Sequence, residues 1–231
     1  MALGNTSHCW HRVVPLLTAQ GHRVFAIDLL GRATKFTSAW NVSLDDHADA
    51  IVTAAKKEDG KVIAVGHSMG GLSISRAAEK SPECFEHLVY LTAFLPIDGE
   101  NLLSLSSQDK DSLVPSTMSI SLLRGKSTLK SNAGEVFYND CSPKDVELAR
   151  SHLVPEPVRP NFNKVRLTDA RFGSIPRSYI GCSEDRAITP SHQKRMVERQ
   201  PCERFETLKS SHSPFYSMPD ELVKMLLEVS D

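Results

Sequence analysis

The chain has 231 residues, of which 40% are hydrophobic and 24% charged, and its formal net charge is −1 at pH 7. This length suits one sizeable domain, alone or with an inserted cap, and can bury a substantial core. The near-neutral charge without long basic runs argues against nucleic-acid binding, and no apolar stretch approaches the ~20 residues that cross a bilayer.

The cysteines and the N-terminal residues indicate the cellular compartment of the protein. The five cysteines are odd in number and scattered without CxxC spacing, which favours free thiols over a disulfide framework. The first residues lack the basic start and apolar core of a signal peptide, so we predict a cytoplasmic protein. No zinc-like His/Cys spacing, GxGxxG or Walker-type loop is present, so we expect chemistry on side chains alone, without metal or cofactor.

Apolar runs alternate with amphipathic segments over the first part of the chain. Helices are predicted at 10–20, 44–58 and 69–80, and strands at 23–30, 61–66 and 87–96. After Pro96 the alternation stops, and residues 97–172 contain polar stretches and a predicted helix at 142–153. The alternation resumes with strands at 177–182 and 204–210 and helices at 189–200 and 219–229.

This pattern predicts an α/β fold, with a mostly parallel sheet covered by helices on both faces. Residues 1–96 and 173–231 form the predicted core domain, and residues 97–172 form a helical cap inserted into it. Open parallel sheets bind their ligands at the carboxyl ends of the strands, so we look for functional residues there.

The segment Val62–Gly71, VIAVGHSMGG, is the most informative stretch of the chain. An apolar strand leads into a tight turn that carries Ser68, and a helix-compatible segment follows. Gly66 and Gly70, two residues either side of the serine, suit a sharp strand-to-helix turn in which backbone segments pass closely. Ser68 is therefore the predicted nucleophile.

A serine hydroxyl needs a base to take its proton, and an imidazole suits that role at neutral pH. Of the nine histidines, His212 lies in the loop after the last predicted strand, at the same rim as Ser68. Asp185, after the strand 177–182, is the predicted acid that orients His212, and the order Ser–Asp–His is typical of this architecture. Asp98, at another strand end, remains the alternative acid.

An oxyanion hole requires two backbone N–H donors aimed at the developing negative charge. Met69, directly after the nucleophile, is the predicted first donor. The second donor should come from the loop after an early strand. The sequence begins with MALGNTSHCW, and we predict no strand ahead of this segment.

With these residues placed, the chain resembles an α/β-hydrolase of the small-esterase branch that includes plant methylesterases, hydroxynitrile lyases and bacterial esterases. The last matching block also resembles bacterial pyrethroid-type carboxylesterases. The resemblance implies a cofactor-free hydrolase with a helical cap over Ser68. The matching blocks are CWHRVVPLLTAQGHRVFAIDL, VGHSMGG, HLVYLTAFLPIDGENL, FYNDCSPKDVELA, GSIPRSYIGCSEDRAI and SHSPFYSMPDEL.

Two differences favour an esterase over a lyase within this branch. The lyases place a lysine directly after the catalytic histidine to bind the cyanide leaving group, whereas Ser213 follows His212 here. The lyases also carry an elbow similar to GESCGG, and this chain has the esterase-like GHSMGG.

The N-terminal residues of the chain differ from the pattern of the family that it resembles. Relatives of this branch begin with a strand ending in His-Gly-Ala or similar, which supplies the second oxyanion donor. Counting back from Trp10 places Met1 at that His and Leu3 at the donor, with Ala2 the donor if the loop is one residue longer. The strand expected before it is absent, either because the sequence starts late or because the sheet has lost a strand. In the second case we expect an exposed sheet edge that favours a homodimer.

We therefore predict a serine carboxylesterase that hydrolyses small to medium hydrophobic esters through an acyl-enzyme on Ser68. A hydroxynitrile lyase, a non-catalytic or slow ligand receptor, and thioester or lactone hydrolysis remain alternatives. The expected partner is a small-molecule ester, with no nucleic acid and no membrane. The predicted substrate pocket is largely apolar and includes His67, Phe94, Leu123, Phe137 and Phe215, although packing of the cap and core is an alternative role for apolar residues of this kind.

Overall fold

The computed structural model describes residues 6–31 and 39–229. The predictions that fall on residues 1–5, including Leu3 or Ala2 as second oxyanion donor and the missing first strand, lie outside these ranges.

A parallel sheet of four strands forms the centre of the described molecule, in the spatial order β1-β2-β6-β7. A second, antiparallel sheet has the order β3-β4-β5. The strands are β1 Val62–Ser68, β2 Phe85–Ala93, β3 Met118–Ser121, β4 Lys126–Leu129, β5 Glu156–Pro157, β6 Arg177–Cys182 and β7 Arg204–Leu208.

Ten α-helices are described, with short 3-10 turns between some of them. None of the helices in the described ranges is both long and apolar enough to cross a membrane. The helices are α1 Val13–Ala19, α2 Leu44–Ala55, α3 Gly70–Lys80, α4 Leu102–Ser106, α5 Val114–Thr117, α6 Gly134–Phe137, α7 Pro143–Ser151, α8 Pro190–Arg199, α9 Pro214–Ser217 and α10 Pro219–Leu227.

Local sequence sets the start of α2. The Ser43 hydroxyl accepts a hydrogen bond from the Asp46 amide at 3.2 Å, and the Asp46 carboxylate accepts one from the Ser43 amide at 2.8 Å. This reciprocal capping satisfies amides that the first helical turn leaves free, and the acidic side chains of Asp45 and Asp46 suit the positive helix end.

Strand β2 shows why the sheet is covered on both faces. Side chains alternate across a strand, and here both sets are buried from His87 to Ala93. Leu88 and Tyr90 pack with residues of α2 and α3, whereas Val89 and Leu91 pack with residues of α6 and α10. The predicted α/β architecture is confirmed.

The strand predicted at 23–30 is not a strand in the structure. Residues 22–29 have no regular secondary structure, and a groove of about 700 Å³ separates them from the outer edge of β1. Paired strands lie about 4.8 Å apart, which leaves no room for such a groove. Among the described residues β1 is thus an edge strand, and dimerisation through such an edge stays a prediction.

The region 97–172, predicted as a helical cap, contains helices α4 to α7, and it also holds the whole antiparallel sheet β3-β4-β5, which the sequence analysis did not predict. Its strands are short and rich in Ser and Thr, and they lack the apolar alternation that identifies a strand. Gly125 closes the β3–β4 turn at a φ of +61°, a conformation that favours glycine.

Candidate active site

Ser68 is the last residue of β1, and α3 begins two residues later. Its φ of +55° is rare for a residue with a side chain, and this strained turn between strand and helix is typical of nucleophile elbows. The carbonyl of Ser68 accepts a hydrogen bond from the Phe94 amide at 3.0 Å, which fixes the turn against the end of β2. Ser68 is 5% exposed.

The glycines of the elbow are explained by close backbone approach. A Cβ on Gly66 would lie 2.9 Å from the carbonyl carbon and oxygen of Gly70. A Cβ on Gly71 would lie 2.1 Å from the carbonyl oxygen of Phe94. Both obstacles include backbone atoms, which cannot rotate away as a side chain can, so the turn admits only glycine at these positions.

Gly71→Ala is therefore expected to destabilise the protein by about 3 kcal/mol or more, since the added methyl group must displace the end of β2. Urea unfolding measures this loss. Gly134→Ala is the matched control, because its Cβ would meet only the Val146 side chain at 3.3 Å. A Gly71→Ala protein as stable as the Gly134→Ala protein would contradict the proposed close packing.

His212 and Asp185 meet as the sequence predicts. Nδ1 of His212 lies 2.7 Å from Oδ2 of Asp185, and both side chains are fully buried. Oδ1 of Asp185 accepts hydrogen bonds from the amides of Ala187, at 2.6 Å, and Ile188, at 3.0 Å. Nε2 of His212 has no hydrogen-bond partner among the described residues, so it is free to accept a proton.

Thr92 is a member of this cluster that the sequence analysis missed. It lies near the end of β2, and its hydroxyl donates a hydrogen bond to Oδ2 of Asp185. The available signal was a threonine near the carboxyl end of the strand, in the largely apolar run LVYLTA.

Asp98, the alternative acid, lies elsewhere. Its carboxylate accepts a hydrogen bond from the Leu167 amide at 2.9 Å and lies 3.8 Å from the Arg166 guanidinium. Its side chain is 54% exposed. Because no contact joins it to His212, the geometry favours Asp185.

His67 packs against His212, and its place in a substrate pocket stays a prediction. Its Nε2 donates a hydrogen bond to the carbonyl of His212 at 2.7 Å, and its ring lies 4.6 Å from the His212 ring. His67 is fully buried. Burial lowers the pKa of His67 well below its usual range, and the neighbouring His212 lowers it further.

This low pKa predicts that the fold loses stability in acid. The unfolded chain binds a proton at His67 near pH 6.5, whereas the folded protein resists protonation, so stability falls as the pH drops below about 6.5. Between about pH 7.5 and about pH 5.5 we expect the free energy of unfolding to fall more for the wild type than for His67→Gln. Urea unfolding of both proteins at the two pH values measures this difference. His22→Gln, at an exposed position, is the control, and parallel losses in all three proteins would contradict the prediction.

The remaining pocket candidates have different surroundings. Phe137, from α6 in the inserted region, packs edge-on against His212 with ring centres 5.4 Å apart. Phe215 packs edge-on against His67 at 4.9 Å. Phe94 is 8% exposed and lies near His192. Leu123 is 94% exposed at the β3–β4 turn, so the structure does not place it in an enclosed pocket.

Met69 caps the N-terminus of α3 and is 3% exposed. Amides at a helix N-terminus have no intrahelical acceptor, and the helix dipole favours negative charge there. The Met69 amide can thus donate a hydrogen bond to an oxyanion that forms next to Ser68.

Comparisons with known proteins identify similar sequences and similar structures. The sequence model described as "Alpha/beta hydrolase family" matches residues 2–225. The chain is 32% identical to an Arabidopsis thaliana protein provisionally named methylesterase 14, chloroplastic, over 96% of this chain and 68% of that protein. It is 30% identical to Arabidopsis thaliana methylesterase 7, over 96% of this chain and 91% of the relative. It spans only 60% and 53% of two further chloroplastic proteins of this kind.

Among solved structures, a pyrethroid hydrolase from Sphingobium faniae JZ-2 superposes with a TM-score of 0.88 at 26% identity. The match covers all of this chain and 94% of that one. The described fold and the family match thus point to the same superfamily.

Proposed function

The chain belongs to the alpha/beta hydrolase family, and from that premise we propose that it is a serine carboxylesterase acting on small to medium hydrophobic esters. The observation that carries the proposal is the buried contact between His212 and Asp185 beside a strained serine turn. The relatives named methylesterases support an ester substrate and make methyl esters the first class to test.

In the proposed first step, Oγ of Ser68 attacks the carbonyl carbon of the ester while Nε2 of His212 accepts the hydroxyl proton. Asp185 holds the imidazole in the tautomer that leaves Nε2 free, and it stabilises the imidazolium that forms. The Met69 amide stabilises the oxyanion. The intermediate collapses as His212 gives its proton to the leaving alcohol, which leaves the acyl group on Ser68.

In the second step water attacks the acyl-enzyme, with His212 taking a proton from the water and returning it to Oγ of Ser68. This releases the carboxylic acid and restores the enzyme. Phe137 and Phe215, packed against the two histidines, make the surroundings of the base apolar. Such surroundings suit an uncharged, hydrophobic ester.

The test is hydrolysis of p-nitrophenyl acetate, p-nitrophenyl butyrate and a hydrophobic methyl ester, with mass spectrometry of protein quenched during turnover. We expect release of alcohol and an acyl adduct on the peptide that carries Ser68. An adduct on another residue would contradict the nucleophile, and tight ligand binding without turnover would favour a receptor. Cyanide release from mandelonitrile would indicate a lyase.

A further inference from the structure

Thr92 lies at an irregularity in the pairing of β1 with β2. Along these strands His67 pairs with Leu91, but the next residue, Ser68, pairs with Ala93. Thr92 is therefore an extra residue in β2, opposite no residue of β1, as in a β-bulge. Bulges are frequent next to active sites, where they turn a side chain in a new direction.

The backbone of Thr92 is strained. Its φ is +34°, and positive φ is a clear outlier for a β-branched residue. Thr92 and Ser68 are the two non-glycine residues with positive φ in the described chain, and they lie at neighbouring strand ends. Strain of this kind persists where the surroundings impose it, and it concentrates at functional sites.

The bulge directs the Thr92 hydroxyl onto Asp185. The hydroxyl donates to Oδ2, the same oxygen that accepts the bond from Nδ1 of His212. The donors to Oδ1 are amides of the loop that carries Asp185 itself. Thr92 thus ties the carboxylate to β2, the strand that pairs with the nucleophile strand β1.

We propose that Thr92 is a positioning residue that holds the Asp185 carboxylate in the orientation His212 requires. The inference rests on the proposed esterase function. With the Thr92 hydroxyl in place, Oδ2 stays aimed at Nδ1 of His212, and Nε2 stays available to Ser68. The β-branched side chain suits this task because its χ1 has few rotamers, so the hydroxyl is fixed before substrate binds.

The test compares Thr92→Val, which keeps the shape but removes the hydroxyl, with Thr92→Ser, which keeps the hydroxyl. We expect Thr92→Val to lower kcat for p-nitrophenyl butyrate by about 10-fold to 100-fold, and Thr92→Ser by about 3-fold or less, with KM little changed in both. Thr117→Val is the matched control, because Thr117 is equally buried and its hydroxyl donates only to the Val114 carbonyl at 2.8 Å.

Proton NMR gives a readout that does not depend on turnover. The His212 Nδ1 proton should give a low-field signal in the wild type and in Thr92→Ser, and this signal should move or broaden in Thr92→Val. If the wild type has no esterase activity the proposed function fails, while the NMR comparison still tests the role of Thr92. An unchanged signal in Thr92→Val, or a kcat loss no larger than its loss of folded protein, would overturn the proposal.

Discussion

Replacing Ser68 by Ala is expected to lower kcat for ester hydrolysis by about 10⁴-fold to 10⁶-fold, the largest effect we predict for a single side chain. Without its Oγ the enzyme has no nucleophile, and only a general electrostatic effect at the Met69 amide remains. The measurement is p-nitrophenyl butyrate hydrolysis by protein purified free of host esterases, with urea unfolding of the same samples.

Ser73→Ala provides the matched control for this experiment. Ser73 lies in α3, is 1% exposed, and its hydroxyl has no partner in the described structure. Ser73→Ala removes a buried serine hydroxyl near the elbow, as Ser68→Ala does. Because no catalytic group contacts the Ser73 hydroxyl, we expect the activity of Ser73→Ala to lie within about 2-fold of the wild type. Near wild-type turnover in Ser68→Ala would contradict the proposed mechanism.

The elements around Ser68 could be read from the sequence because local patterns determine them. The apolar run of β1, the glycine-bounded turn and the amphipathic α3 each follow from steric and hydrophobic rules that act within ten residues. His212 and Asp185 could be placed for a related reason, since parallel strands bring their carboxyl ends to one edge. The side chains then met as expected, 2.7 Å apart.

The features that escaped prediction depend on contacts between distant segments. Residues 23–30 have the apolar composition of a strand, but strand formation requires a paired neighbour, and a groove lies between this segment and β1. The proposed role of Thr92 depends on a register shift between β1 and β2. The sequence of a single strand does not predict how that strand pairs with its neighbour. The β3–β4 hairpin has too little apolar alternation to stand out from a polar loop.

The second large effect is expected for Asp185→Asn, which should lower kcat by about 10⁴-fold with little change in KM. The structure gives a specific reason. In the wild type, Oδ1 of Asp185 accepts hydrogen bonds from the amides of Ala187 and Ile188. In the variant the side-chain oxygen of Asn must take this position, because an NH₂ group cannot accept these bonds. The Asn NH₂ group then faces Nδ1 of His212 and donates to it. The imidazole is forced to carry its proton on Nε2, where it cannot accept the proton of Ser68.

Asp98→Asn is the control that separates the two candidate acids. Asp98 is also at a strand end in the sequence, but it is half-exposed and bonded to the Leu167 amide, so we expect activity within about 2-fold of the wild type. The two variants remove one carboxylate charge each, so a general effect of charge would lower both activities alike. Equal losses, or a larger loss in Asp98→Asn, would show that the buried contact between His212 and Asp185 is not the catalytic one.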